Sequence, residues 1–335
     1  MTLSPRKFGP SNINPIGLGC MNLDHAYGPG ASHEDGESLL LKALDLGVDM
    51  FDTATLYGFG KNETRLGKVL TKHRSKFTLA SKCGMGGVMF ADGLKRVIDG
   101  SAATIKAHCE ASLERLQTDV IDVYYLHRWD KKIPIEESVG ALADLVREGK
   151  IRAVGLSEVS AATLKKAHAI HPIAAVQTEY SLWTRNPEIA VLKACAEIGA
   201  AFVAFSPVGR QFLCAQAPHI EALAASDIRR GMPRFKPENY PANLALRAPY
   251  LELAKELGCS PAQLAIAWVL HKAPHIIAIP GTKDSAHLAD NMASSEVVIT
   301  ASIMQKLESL INQQTVQGGR YDTQSESEVD TETFA

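Results

Sequence analysis

The sequence predicts an α/β protein assembled from eight consecutive strand–helix units. Three observations carry that reading. Short β-branched or aromatic runs recur along the chain. Longer segments, with apolar residues at every third or fourth position, separate them, so the hydrophobic period switches from two to 3.6. Polar residues with chemical reach stand directly after several of the runs. A closed (β/α)8 barrel leaves no exposed sheet edge and is the expected arrangement; an open doubly wound sheet is the alternative that periodicity leaves standing.

The expected strands, in order, are 16–20 (IGLGC), 50–52 (MFD), 77–81 (FTLAS), 122–126 (DVYYL), 151–156 (IRAVGL), 174–178 (AAVQT), 201–205 (AFVAF) and 276–279 (IIAI). Helical periodicity is plain at 104–115, 135–147 and 161–169. Two long connections break the rhythm. One, 82–100, contains GMGG; the other, 207–242, is rich in proline. Both follow strands, so both are expected as loops over the C-terminal face, where a barrel keeps its chemistry. Residues 1–312 are expected to form one barrel domain, and 313–335, polar and acidic, a disordered tail.

Composition narrows the function classes. The 35 Lys and Arg nearly balance the 37 Asp and Glu, and no long basic tract occurs, which gives nucleic-acid binding no support. The six cysteines, at 20, 83, 109, 195, 214 and 259, form no CxxC pair or zinc cluster and are expected as free thiols. The first residues lack the apolar core of a secretory signal, and no run approaches the length of a membrane span. A cytoplasmic protein, monomeric or weakly self-associating, is expected. The histidines at 127, 168, 171, 271 and 275 make no persuasive metal-ligand set.

Four strand-end residues make a chemical set: Asp52 ends MFD, Tyr57 closes FDTATLY, Lys82 follows FTLAS and His127 follows IDVYYL. Barrel strand ends converge on one face, so residues far apart in sequence can share a pocket. Reduction of a carbonyl needs a hydride, a proton and stabilisation of a developing alkoxide. Tyr57 would supply the proton, Lys82 would lower the phenol's pKa, Asp52 would hold Lys82, and His127 would orient the carbonyl oxygen. No side chain supplies hydride, so the set requires a reduced nicotinamide.

Beyond these four, the chain resembles the aldo-keto reductase family. The landmarks are GLGCM at 17–21, FDTATLYG at 51–58, SLERLQTDVIDVYYLHRWD at 112–130, GKIRAVGLSE at 149–158, AVQTEYSLW at 175–183, FSPVGRQFL at 205–213 and IPGTKDS at 279–285, with DNM at 290–292. The resemblance implies a TIM barrel that binds NADPH in extended form, with Asp52, Tyr57, Lys82 and His127 as the catalytic tetrad. It implies Ser157, Glu158 and Gln177 at the nicotinamide carboxamide, with Phe205 stacked on the ring. Ser206, Pro207, Val208 and Arg210 would follow the pyrophosphate. Gly281, Thr282, Lys283, His287, Asp290 and Asn291 would hold the adenosine end.

Three positions depart from the family's usual residues. Glu158 replaces asparagine and can accept but not donate a hydrogen bond. His287 replaces an arginine that faces the 2'-phosphate, which leaves NADH open as a cofactor. Asp290 replaces glutamate. The expected substrate lining is Met21, Leu23, Met89, Phe90 and Trp129, with Trp183 behind the cofactor; Asp24, His25 and Asp35 are expected as solvated loop residues. The implied activity is reduction of an aldehyde or ketone. An NAD(P)+-dependent alcohol or sugar dehydrogenase on the same site is the alternative, and a nicotinamide-binding regulatory module is another.

Overall fold

The computed structural model describes residues 3–334; residues 1, 2 and 335, at the outer ends of the expected domain and tail, lie outside the described residues. Strands β1 (Arg6–Phe8) and β2 (Ser11–Ile13) form an antiparallel hairpin. A parallel sheet begins with β3 (Leu18–Gly19), β4 (Met50–Asp52) and β5 (Thr78–Cys83). A second antiparallel pair follows, β6 (Met85–Phe90) with β7 (Gly93–Ile98). The parallel sheet resumes through β8 (Ile121–Leu126), β9 (Ile151–Ser157), β10 (Ile173–Glu179), β11 (Ala201–Phe205) and β12 (Ile276–Ile279). Its eight strands lie side by side in chain order. The first and last also meet: Gly17 N–H donates to Ala278 O, and Ala278 N–H donates to Pro15 O, both at 2.9 Å. The fold is therefore a (β/α)8 barrel with helices outside, and the open-sheet alternative falls.

Strand alternation sorts each run between two cores. Met50, Ala80, Val123, Tyr125, Ala175, Ala201, Val203, Ile277 and Ile279 pack inside the barrel. Their neighbours Phe51, Leu79, Tyr124, Val154, Val176, Phe202 and Ile276 face the helices. Parallel strands covered on both faces read as near-continuous apolar runs, as these do. Gly155 is required by the interior: a Cβ there would lie 2.3 Å from the Tyr125 ring.

The β1–β2 hairpin plugs the barrel floor, with Phe8 and Ile13 joining the interior cluster. Its turn passes under β8 at Gly9, where φ is +55° and an added Cβ would lie 2.9 Å from Val123. Arg6 donates to the Leu270, Ala273 and Ile276 carbonyls, closing the end of the buried helix Pro261–Lys272. Helices Ala102–Leu116, Ala161–Ile170 and Pro261–Lys272 each start behind a serine whose hydroxyl accepts an N–H of the first turn, which stabilises each start by about 1 kcal/mol.

Two expectations are corrected. The 82–100 connection is not a loop but carries the β6–β7 hairpin. The tail is ordered: it lies across the C-terminal face as a strap. Arg320 reaches Glu158 at 2.6 Å, Lys131 donates to Val329 O at 2.6 Å, and Asp330 N–H donates to Glu158 O at 2.9 Å. Asp330 also accepts from Ser160 N–H, and Glu332 from Ala161 N–H. The strap's acidity matches what it touches, since both carboxylates sit on the positive N-terminal end of helix Ala161–Ile170. All six cysteines are free thiols. Among the described residues, no helix is long and apolar enough to cross a membrane.

Candidate active site

The inward register places a second set of side chains one step above the apolar interior. Two residues beyond Met50, Ala80 and Tyr125 stand Asp52, Lys82 and His127; two beyond Gly155, Ala175 and Val203 stand Ser157, Gln177 and Phe205. All except Lys82 line one cleft of about 1120 Å³ over the strand ends. Lys82 lies fully buried just beneath it.

Its ammonium is the hub. It donates to Asp52 Oδ1, to Thr53 O at 2.9 Å and to the Tyr57 hydroxyl at 3.1 Å. Gln177 Nε2 braces the other Asp52 oxygen at 2.7 Å. Burial opposes the Lys82 charge, but Asp52 and Tyr57 outweigh it and hold the ammonium above its ordinary range. Burial raises the Tyr57 phenol; Lys82 pulls it down, Asp52 pushes it up, and the rise wins. Lys82 thus acts in the expected direction but is outweighed by burial, and Tyr57 is a protonated phenol at neutral pH. Burial, with Arg128 and Lys82 adding to it, depresses His127 well below its ordinary range, so the imidazole is neutral. Its ring stands edge-on to Tyr57 at 5.8 Å, and its buried Nδ1 has no partner among the described residues.

Tyr57 is delivered by a tight turn after β4. Gly58, Phe59 and Gly60 all take positive φ, at 56°, 53° and 92°. Asn62 ties this turn to the strand ends, accepting from Thr53 at 2.6 Å and donating to Cys20 O at 3.0 Å and Asp24 at 2.7 Å.

Most residues expected at the cofactor lie on the cleft wall: Ser157, Gln177, Phe205, Ser206, Pro207, Val208, Arg210, Gly281, Thr282, Lys283, His287, Asp290 and Asn291. Glu158 does not. It leaves β9 with φ 55°, and its carboxylate accepts from Arg320 at 2.6 and 3.1 Å and from Glu179 N–H at 3.0 Å. The substitution at this position thus serves the strap rather than a carboxamide. Arg210 reaches the wall, but its charge is committed to Glu179 at 2.7 Å, with Tyr27 at 3.1 Å. That makes it a brace instead of a free cation for pyrophosphate.

The substrate lining is corrected more heavily. Met21 lines the cleft; Leu23 is core. Met89 and Phe90 point from the hairpin into solvent, Met89 being 71% exposed. Trp129 packs on the core and spends its indole N–H on Ile133 O at 2.7 Å. Trp183 stacks on Phe212 with ring centres 4.0 Å apart, away from the wall. Asp24 is bonded to Arg65 and Asn62, Asp35 bonds Ser32 at the start of the first helix, and His25 stacks 6.0 Å from Tyr57 on the wall.

Among the wall residues that the sequence did not single out are Asn22, Arg96, Arg128 and Tyr321. Arg128 had a signal, since it directly follows His127. The others arrive from a loop, the hairpin and the strap, which carried no strand pattern.

Residues 15–312 match the model of the aldo/keto reductase family. The chain is 38% identical to a probable aldo-keto reductase 1 of Glycine max over 322 residues, 95% of this chain and 92% of that protein. Among solved structures, a glycerol dehydrogenase of Gluconobacter oxydans superimposes with a TM-score of 0.84 at 27% identity, over 92% of this chain and 94% of that one. An aldo/keto reductase of Klebsiella pneumoniae, solved with NADP and acetate, gives 0.73 at 26% identity, over 96% and 99%.

Proposed function

Because the chain belongs to the aldo/keto reductase family, we propose that it is an NADPH-dependent reductase of aldehydes or ketones with Tyr57 as proton donor. The observation that carries the proposal is the Lys82 hub: one buried ammonium bonds both Asp52 and Tyr57, beneath a cleft that also holds His127.

The wall fits an extended dinucleotide. Backbone approaches closely at two glycines: a Cβ on Gly19 would lie 2.7 Å from Ile279 O, and one on Gly281 would lie 2.7 Å from Asn22 Oδ1. Ser157 and Gln177 would hold the nicotinamide amide beneath Phe205. Ser206, Pro207 and Val208 would follow the phosphates, and Gly281, Thr282, Lys283, His287, Asp290 and Asn291 the adenosine end. The bound cofactor supplies the hydride.

The chain's own residues supply the rest. Neutral His127 orients the carbonyl oxygen toward the phenol. Tyr57 releases its proton to that oxygen, and the Lys82 ammonium at 3.1 Å stabilises the phenolate left behind. Asp52 keeps Lys82 charged, and Gln177 keeps Asp52 aimed. Lys283 supplies positive charge for a 2'-phosphate, which favours NADPH; His287, lacking a guanidinium, keeps NADH as the alternative. Likeness to a glycerol dehydrogenase favours a second reading, alcohol oxidation by the same residues in reverse.

The test is NADPH and NADH consumption over aromatic aldehydes, aliphatic aldehydes, dicarbonyls and keto-sugars, beside alcohol oxidation with NADP+. Turnover that falls by on the order of 10²–10⁴ in Tyr57→Phe is expected. Full activity in Tyr57→Phe would remove the phenol from the mechanism.

A further inference from the structure

Three arginines on the cleft wall are neutralised within the protein, while Arg230 and Lys283 donate to backbone carbonyls. Arg210 pairs with Glu179, Arg229 with Asp227, and Arg96 with Glu328. Arg128 is different. It lines the catalytic end of the cleft, half-buried, and has no carboxylate partner among the described residues. Its Nη1 alone is engaged, donating to His127 O at 2.6 Å and to Ser157 Oγ at 3.1 Å. Nε and Nη2 have no protein acceptor among the described residues.

This geometry has a chemical consequence. Two anchors fix one corner of a planar fork, so the remaining N–H groups are held in place rather than searching rotamers. A guanidinium that has lost part of its hydration gains from a bidentate anion, and a carboxylate matches the spacing of the fork. The fork belongs to the residue next to His127, on the wall it shares with Tyr57. We propose that Arg128 makes the enzyme selective for carbonyl substrates that carry a carboxylate, bound beside the carbonyl that Tyr57 protonates. The proposal rests on the reductase reading. Arg128 also acts electrostatically on both Tyr57 and His127, which places its charge within range of the reacting oxygen. Arg96 brings a second cation to the same cleft from the hairpin, held by Glu328 at 2.5 Å.

The experiment compares 4-carboxybenzaldehyde with its neutral methyl ester, methyl 4-formylbenzoate, as ratios of kcat/KM. The native protein is expected to favour the acid at least tenfold. Arg128→Gln should abolish that preference, and Arg128→Lys, which keeps the charge but not the fork, should retain part of it. A native ratio near one, or a ratio unchanged in Arg128→Gln, overturns the proposal. A second readout needs no turnover: 4-(hydroxymethyl)benzoate binding to the NADPH-loaded protein, measured by calorimetry, should weaken at least tenfold in Arg128→Gln. Equal binding by native and variant protein also overturns it. Absence of turnover of both the acid and the ester by the native protein would instead strike the reductase reading, leaving the binding comparison to decide the role of Arg128. Thermal melting of each variant confirms that it is folded.

Discussion

Two buried ion pairs sit on the same face of the barrel and do opposite jobs. Asp52–Lys82 joins adjacent strand ends, 30 residues apart, and its ammonium also donates to Tyr57. Glu158–Arg320 joins a strand exit to the strap, 162 residues away, and both partners are almost fully enclosed. The first pair is held by the strands and donates to the Tyr57 hydroxyl. The second is backed by the Glu179 N–H and fastens the strap. What separates the pairs is therefore not burial but the partner of the further contact, a hydroxyl on the cleft wall for Lys82 and Thr331 of the strap for Arg320.

Removing one partner of each pair tests that difference. Lys82→Met strands Asp52 as an uncompensated buried charge, which should cost about 3–5 kcal/mol of stability. It should also cost on the order of 10² or more in kcat, measured on protein shown to be folded by circular dichroism. Turnover within a few-fold of native would show that the hub is structural. Arg320→Met strands Glu158 in the same way and should likewise cost about 3–5 kcal/mol, but locally. Hydrogen exchange at Val159 and Asp330 should accelerate while kcat falls less than tenfold. A kcat loss matching that of Lys82→Met would erase the distinction drawn here.

The pH profile sharpens it further. Reduction needs protonated Tyr57, whose phenol lies above its ordinary range because of burial. Reductive kcat should hold level through neutral pH and fall only as pH rises past the phenol's raised pKa. The reverse oxidation needs the phenolate and should rise over the same interval. A reductive profile that already falls below pH 9 would contradict a raised pKa, since the unperturbed value is about 10. The smallest effect belongs to Glu328→Gln. It breaks a partly exposed pair, with Arg96 41% exposed, and should change global stability by less than about 1 kcal/mol in urea denaturation.

How legible each region was follows from what holds it. The eight strands and the four strand-end residues could be read because alternation is local: Asp52, Lys82 and His127 each stand two residues beyond an interior side chain. The hairpin escaped because Gly86 and Gly87 break the alternation. Both are forced by neighbours from elsewhere, His108 and Phe59, which a Cβ would meet at 3.0 and 2.4 Å. The strap escaped because low hydrophobicity suggests disorder, whereas its order comes from charge. Arg320, Asp330 and Glu332 find partners near residue 160, and nothing within the tail points there. Leu23, Met89, Phe90 and Trp129 show the same limit from the other side. Their positions in the chain suggested a pocket, but side-chain direction in a loop has no period to read.

The floor plug sets an order of events during synthesis. Arg6 closes on the Ile276 carbonyl, 270 residues downstream, and Phe8 and Ile13 fill an interior whose last strand is β12. At translation rates of roughly 5–20 residues per second, the hairpin must wait roughly 14–54 s on the ribosome before its final partners exist. Throughout that interval Phe8 and Ile13 are apolar side chains without their finished barrel. The first residues made are thus among the last to be sealed, and their apolar surface stays unsheltered by its final partners until β12 emerges.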